Sequence, residues 1–177
     1  MIPKFRAYST EENKMYYPHN DKNVDWTIDN ETGFIAPSVN LGDGMWGMID
    51  KYKLMQSTGL KGYMSDSFED AEEKDVFRGD IIDIFWEEWP MGYYQENHIV
   101  GVVDLDETGT AWIIKDAKYE YDTPKTIPSE IDGISVSMSL PDEEDLEEIF
   151  LHAFDLSAND ITILGNIYEN SDLLEAE

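Results

Sequence analysis

Gly79-Asp80-Ile81-Ile82-Asp83-Ile84-Phe85-Trp86 is the stretch that decides the fold. Its branched and aromatic residues, opened by a glycine, read as a strand. Two more strands follow downstream, His98–Asp104 and Thr110–Ile114, joined through Asp104-Leu105-Asp106-Glu107-Thr108-Gly109, a hairpin turn by composition. Upstream, Trp46–Gln56 is a longer strand-like segment ending at the Thr58-Gly59 turn signal. Residues 18–45 are rich in Asn, Asp, Gly and Pro and read as irregular structure with room for one more hairpin.

The two ends of the chain complete the pattern. Residues 1–17 carry a β-hairpin: Phe5-Arg6-Ala7-Tyr8 and Lys14-Met15-Tyr16-Tyr17 flank the polar connection Ser9–Asn13. Ile134–Leu140 alternates apolar and polar residues as a half-buried strand does, and Ile161–Tyr168 is a final strand. Between them, residues 141–154 predict one acidic amphipathic helix. Pro141 stands near its start, acids fill its first turn, and Leu146, Ile149, Phe150, Ala153 and Phe154 form an apolar stripe. Ser171–Glu175 predicts a helical turn. Many short strands with turn signals favour a small barrel in a mainly β domain.

The chain has 177 residues, 41% of them hydrophobic, with 5 Trp, 10 Tyr and 7 Phe. That apolar content fits one folded domain over residues 1–177 rather than a disordered acidic chain. Its formal charge is −27, from 12 Lys+Arg and 39 Asp+Glu. Such a chain repels a phosphate backbone and an anionic membrane surface, so neither duplex DNA nor a membrane is expected as a direct partner. No apolar run approaches the roughly 18 residues of a membrane span, and the first residues lack a signal-peptide core. With Cys at 0 there is no disulfide, thiolate zinc site or cysteine nucleophile. These features lead to the expectation of a soluble intracellular protein.

The charge is uneven. Residues 1–61 hold 7 bases and 8 acids, a net of −1, whereas residues 62–177 hold 5 bases and 31 acids, a net of −26. One dense window lies in an acidic insertion at 62–76: Asp66, Glu69, Asp70, Glu72, Glu73 and Asp75, against Lys74. The other is Asp142, Glu143, Glu144, Asp145, Glu147 and Glu148, with no base among them. Taken singly, such runs are ordinarily solvated faces; together on a −26 body they form a candidate partner-binding surface.

Three segments resemble the YopX family, small proteins found mostly in phages and prophages of Gram-positive bacteria. They are Pro3-Lys4-Phe5-Arg6-Ala7-Tyr8 with Lys14-Met15-Tyr16, then Leu54-Met55-Gln56-Ser57-Thr58-Gly59-Leu60, and Phe77-Arg78-Gly79-Asp80-Ile81-Ile82. The closing Leu164-Gly165-Asn166-Ile167-Tyr168-Glu169-Asn170-Ser171-Asp172-Leu173-Leu174 is similar to the family's usual ending. The resemblance implies a β-rich fold with a small Src-homology-3-like barrel and a phage or prophage origin. It implies no activity and carries over no catalytic residue. This chain departs where similar proteins make a short Lys- and Gly-bearing turn between Thr-Gly-Leu and Gly-Asp-Ile, having Lys61 to Arg78 there, and from Trp86 through Phe154; the acidic windows lie in these stretches.

Several motifs are better read as structure. Gly42-Asp43-Gly44-Met45-Trp46-Gly47 has dinucleotide-loop spacing, but a strand follows it instead of a helix and Asp43 would repel phosphate. Asp104-x-Asp106-x-Thr108-Gly109 starts like a calcium loop, yet Lys115 stands where a bidentate Glu belongs. His19, His98 and His152 lack metal-ligand spacing, so no metal or other cofactor is expected. A divalent metal enters only under a nuclease reading, with Asp80 and Asp83 or Glu87 and Glu88 as ligands; neither pair converges by spacing alone.

The N-terminal hairpin mixes bases with aromatics. Lys4, Phe5, Arg6, Tyr8, Lys14, Tyr16 and Tyr17 suit stacking on bases or on a partner protein; packed inward, they would instead neutralise the acidic body. The leading expectation is a phage-encoded acidic binding protein that inhibits a basic, nucleic-acid-handling host defence protein, with a CRISPR nuclease or its RNA complex as the specific target. A metal-dependent ribonuclease acting through the hairpin, and a phage regulatory or assembly adaptor, are the two alternatives.

Overall fold

A computed structural model describes residues 4–18, 20–29, 31–32, 34–65, 72–89, 92, 94–122, 130–131, 134–135 and 144–174. In chain order the strands are β1 (Phe5–Ser9), β2 (Lys14–Tyr16), β3 (Val24–Asp29), β4 (Phe34–Gly42), β5 (Met45–Met48), β6 (Tyr52–Met64) and β7 (Lys74–Phe77). They continue with β8 (Asp80–Glu88), β9 (Gln95–Leu105), β10 (Trp112–Asp122), β11 (Glu130–Ile131), β12 (Ile134–Ser135), β13 (Glu144–Phe150) and β14 (Ile161–Asn166). Short 3-10 turns occupy Leu151–Ala153, Ala158–Asp160 and Ser171–Leu174. The protein is mainly β.

The deciding stretch becomes the middle of the main sheet. β8 pairs antiparallel with β9 over its length, from Ile81 opposite Val102 to Glu88 opposite Gln95, and with β14 on its other side. Strand pairing runs β13-β10-β9-β8-β14-β6-β1-β2, with β7 also on β6. Ile82, Ile84, Ile99, Ile114, Ile161 and Ile163 bury one face of this sheet, each side chain stabilising the fold by about 2 kcal/mol. A second cluster gathers Tyr8, Met15, Met55 and Phe77 under the N-terminal hairpin, and a third joins Tyr16, Val24 and Ile49. β3, β4 and β5 form a separate three-stranded meander, and β11 pairs with β12.

Among the described residues the expected barrel does not form. The path ends at β13 and β2 without pairing them, so the sheet is open and the Src-homology-3-like closure implied by the resemblance is not seen. Closure protects sheets by abolishing edges. Here β2 is a three-residue edge. At the other end β13 has the acidic sequence Glu-Asp-Leu-Glu-Glu-Ile-Phe, which opposes pairing with a second like-charged strand. β6 also spreads its partners along 13 residues: β1 on its first part, then β7, then β14 in parallel at Tyr63 and Met64.

The expected helix over 141–154 is also corrected. Residues 141–143 lie outside the described residues, Glu144–Phe150 is strand β13, and only Leu151–Ala153 forms a helical turn. A helix would stack Glu144, Glu147 and Glu148 at i, i+3 and i+4, where like charges repel. Beside β10, the register instead sets Glu148 opposite Lys115, Asp145 opposite Lys118 and Leu146 opposite Ala117. The Trp46–Gln56 segment likewise divides, at Ile49–Lys51, between β5 and β6. The strand expected at Ile134–Leu140 is described only as β12, its remainder lying outside the described residues.

The hairpin expected at Asp104–Gly109 connects β9 to β10. Asp106 holds it, accepting hydrogen bonds from the Thr110 and Ala111 amides (2.8 and 2.9 Å) and the Thr108 hydroxyl (2.5 Å). Those bonds, the hydroxyl first, pull its carboxyl down to about 2. Farther along, β10 bulges between Lys115 and Lys118, with Asp116 at φ 52°. Gly101 of β9 faces the bulge, where a Cβ would collide with Ile114 and with the Lys115 and Ala117 backbone.

Candidate interaction surfaces

The N-terminal hairpin folds as expected, with Ala7 opposite Tyr16 and Ser9 opposite Lys14. Arg6 and Tyr8 alternate with Phe5 and Ala7 along β1, and β1 is enclosed between β2 and β6, so the basic residue is carried into the core. There the Arg6 guanidinium lies 2.5 Å from Asp80 Oδ1, donates from Nε to Met55 Sδ at 3.4 Å, and stacks 4.8 Å from the Phe77 ring centre. Asp80 Oδ2 accepts the Phe77 amide at 2.8 Å. Burial pushes the Asp80 carboxyl above its ordinary value; Arg6 and the Phe77 amide offset part of that rise.

The other hairpin residues divide between core and surface. Tyr8 is buried and stacks on Tyr168 at 5.0 Å. Tyr16 is buried too; desolvation, then its hydrogen bond to Glu12 (2.5 Å), raises it to about 12. Phe5 packs edge-on against Trp26, and half-buried Tyr17 packs against Phe77. Lys4 is exposed and pairs with Asp75 at 2.7 Å, and Lys14 lies over the Tyr16 ring. A cavity of about 380 Å³ opens beside Arg6, Tyr17, Lys74 and Asp80.

The described parts of the two acidic windows lie on different strands. Asp66, Glu69 and Asp70 lie outside the described residues, while Glu72 and Glu73 are exposed and Asp75 sits in β7. Lys61 meets Glu73 at 3.2 Å, and Lys74 approaches Glu72 at 3.9 Å. Asp142 and Glu143 are outside the described residues, and Glu144, Asp145, Glu147 and Glu148 lie along the backbone of β13. Strands β10, β9, β8 and β14 stand between β13 and β6, which carries β7.

A surface not singled out from the sequence emerges on β8, β9 and β10. Residues directly opposite in an antiparallel pair share a face. Asp83 faces Val100, Phe85 faces His98, and Glu87 faces Glu96; beyond the bulge, Lys118 faces Val100 and Glu120 faces His98. Phe85, His98 and Val100 are half-buried, and Glu87 and Glu120 are exposed. Asp83 holds His98 Nδ1 at 3.0 Å, and the Phe85 and His98 rings lie 5.1 Å apart. The Tyr94 hydroxyl bridges 2.5 Å to Glu96 and 2.7 Å to Glu87, and those bonds raise its pKa. Trp89, 58% exposed, packs against Tyr94 at the end of β8. Period-two alternation along β8 was the available signal, but the facing residues required the register.

The pairs considered for metal stay apart. Asp80 is buried against Arg6 while Asp83 holds His98, and Glu87 meets Tyr94 while Glu88 accepts from Asn97 on the other face. Among the described residues no three His, Asp or Glu side chains form a metal-binding group. His152 is exposed beside Phe150, and His19 lies outside the described residues. The Gly42–Gly47 stretch is a β4–β5 turn with positive φ at Gly42, Asp43 and Gly44. Among the described residues no helix is long and apolar enough to cross a membrane.

The class defined so far is an acidic, mainly β protein with an open sheet among the described residues, whose candidate sites are surfaces and the cavity beside Arg6. The chain belongs to the YopX family: the model described as YopX protein matches residues 4–175, nearly its whole length. No curated protein and no solved structure matches the chain.

Proposed function

We propose that this chain is a phage-encoded binding protein that occupies a positively charged, nucleic-acid-handling defence protein in the bacterial host cytoplasm. An RNA-guided CRISPR nuclease, whose channel is positively charged, is the target class this chemistry fits. The observation that carries the reading is how the scarce bases are used. Lys4, Arg6, Lys51, Lys61, Lys74 and Arg78 each meet a carboxylate of the same chain within 4 Å. With 39 acids against 12 bases, the excess carboxylates have too few internal cations to neutralise them and present a field complementary to a phosphate-binding groove.

Co-elution with purified RNA-guided nucleases over a salt series tests this, with guide-directed cleavage as the second readout. Complex formation that weakens as salt rises, together with lost cleavage, supports the proposal. Free elution at low ionic strength with every nuclease tried, and unchanged cleavage, overturns it.

A further inference from the structure

We infer that the outward face of β8–β9–β10 is the docking surface, and that its occupant is an arginine-rich protein segment. The inference rests on the binding role proposed above and assigns it a place and a chemistry. At the Ile81–Val102 end this face is buried; it opens progressively through Asp83, Phe85, His98 and Val100 toward Glu87, Glu96 and exposed Trp89. A half-buried aromatic and aliphatic centre bordered by polar residues has the anatomy of an interface core with its rim.

The rim indicates what covers the face. Glu87 stands directly opposite Glu96 across the β8–β9 pair, bridged by the Tyr94 hydroxyl, and like charges so placed oppose the fold. Asp83 and Glu120 border the same centre, and Lys118 stands on the β13 side, where its register partner is Asp145. An occupying guanidinium relieves the Glu87–Glu96 repulsion by donating to both carboxylates from its planar fork. Trp89 and Phe85 then offer ring faces on which that guanidinium stacks, which favours arginine over lysine.

Fluorescence anisotropy with a labelled arginine-rich peptide, and a lysine peptide of equal length, tests the assignment at low ionic strength. The unmodified chain is expected to prefer the arginine peptide. Trp89→Ala combined with Glu96→Gln is expected to weaken binding about tenfold. Glu72→Gln with Glu73→Gln, in the other acidic region, is expected to change it little. Amide shifts in the unmodified chain, which do not depend on how the variants fold, should cluster at Glu87, Glu96, His98 and Val100. If the chain binds the peptide but the Trp89 and Glu96 changes leave affinity intact while Glu72 and Glu73 changes reduce it, the face is wrong and the binding role stands. If neither peptide binds the unmodified chain, the arginine-rich occupant is overturned, while the binding role is decided by the nuclease co-elution.

Discussion

Two regions of this molecule use carboxylates in opposite ways. Under the N-terminal hairpin, Asp80 is buried, receives the Phe77 amide and meets one guanidinium from β1. On the outer face of β8–β9–β10, Glu87 meets another carboxylate, Glu96, across the strand pair. The first region can afford a charge in the core because a partner is held against it; the second tolerates unpaired charge because water reaches it. The difference teaches that negative charge in this chain is a structural element where buried and a field where exposed.

The sharpest way to break the comparison is to remove Arg6. Arg6→Met leaves Asp80 buried without its partner and is expected to cost about 3–5 kcal/mol in urea unfolding, whereas Arg6→Met with Asp80→Leu should recover most of that loss. If the single change leaves the unfolding midpoint unmoved, the buried pair is not what ties the hairpin down.

The β10 bulge that Gly101 faces sets which residues reach the outer face. Without the bulge at Asp116, the register before it would continue and set Tyr119, not Glu120, opposite His98. Gly101→Ala crowds that bulge and is expected to cost about 1–3 kcal/mol, read by thermal or denaturant unfolding. Smaller still, and of opposite sign to Arg6→Met, is Glu96→Gln. Removing one of two facing like charges should stabilise the fold by about 0.2–1 kcal/mol at low salt, and the gain should fade as salt is added. A loss of stability there would mean that the Tyr94 bridge outweighs the repulsion.

The most local effect concerns Asp106. Its folded pKa, about 2, lies below its ordinary 3.8, so its contribution is complete above pH 4 and is lost as pH falls through 2. Hydrogen-exchange protection of the Thr110 and Ala111 amides should decline across that window, while protection at Ile82 and Ile84 in β8 should persist longer.

The Gly79–Trp86 stretch was legible because branched residues bounded by a glycine turn support only one local structure, and it lies at the centre of the main sheet. The N-terminal hairpin was legible from aromatic flanks around the polar connection Ser9–Asn13, and the Asp106 turn from its Asp, Thr and Gly composition. Residues 144–150 were not: their apolar spacing suits a helix, and only the register against Lys115 and Lys118 of β10 favours a strand. The acidic windows stood out by composition, yet the outer face of β8–β9–β10 did not, because Glu87, Glu96 and Glu120 are scattered in sequence and meet only across strands.

By itself, the sequence determined a mainly β chain with a near-neutral head, a strongly acidic body and a YopX resemblance spanning both ends, because composition and local turn chemistry are properties of the chain alone. Tertiary structure decided that the sheet stays open, that Arg6 is spent inside on Asp80, and which carboxylates share a face. Those outcomes depend on strand register and burial. A one-residue shift exchanges the inner and outer faces of a strand, and no count of charges along the chain contains that information.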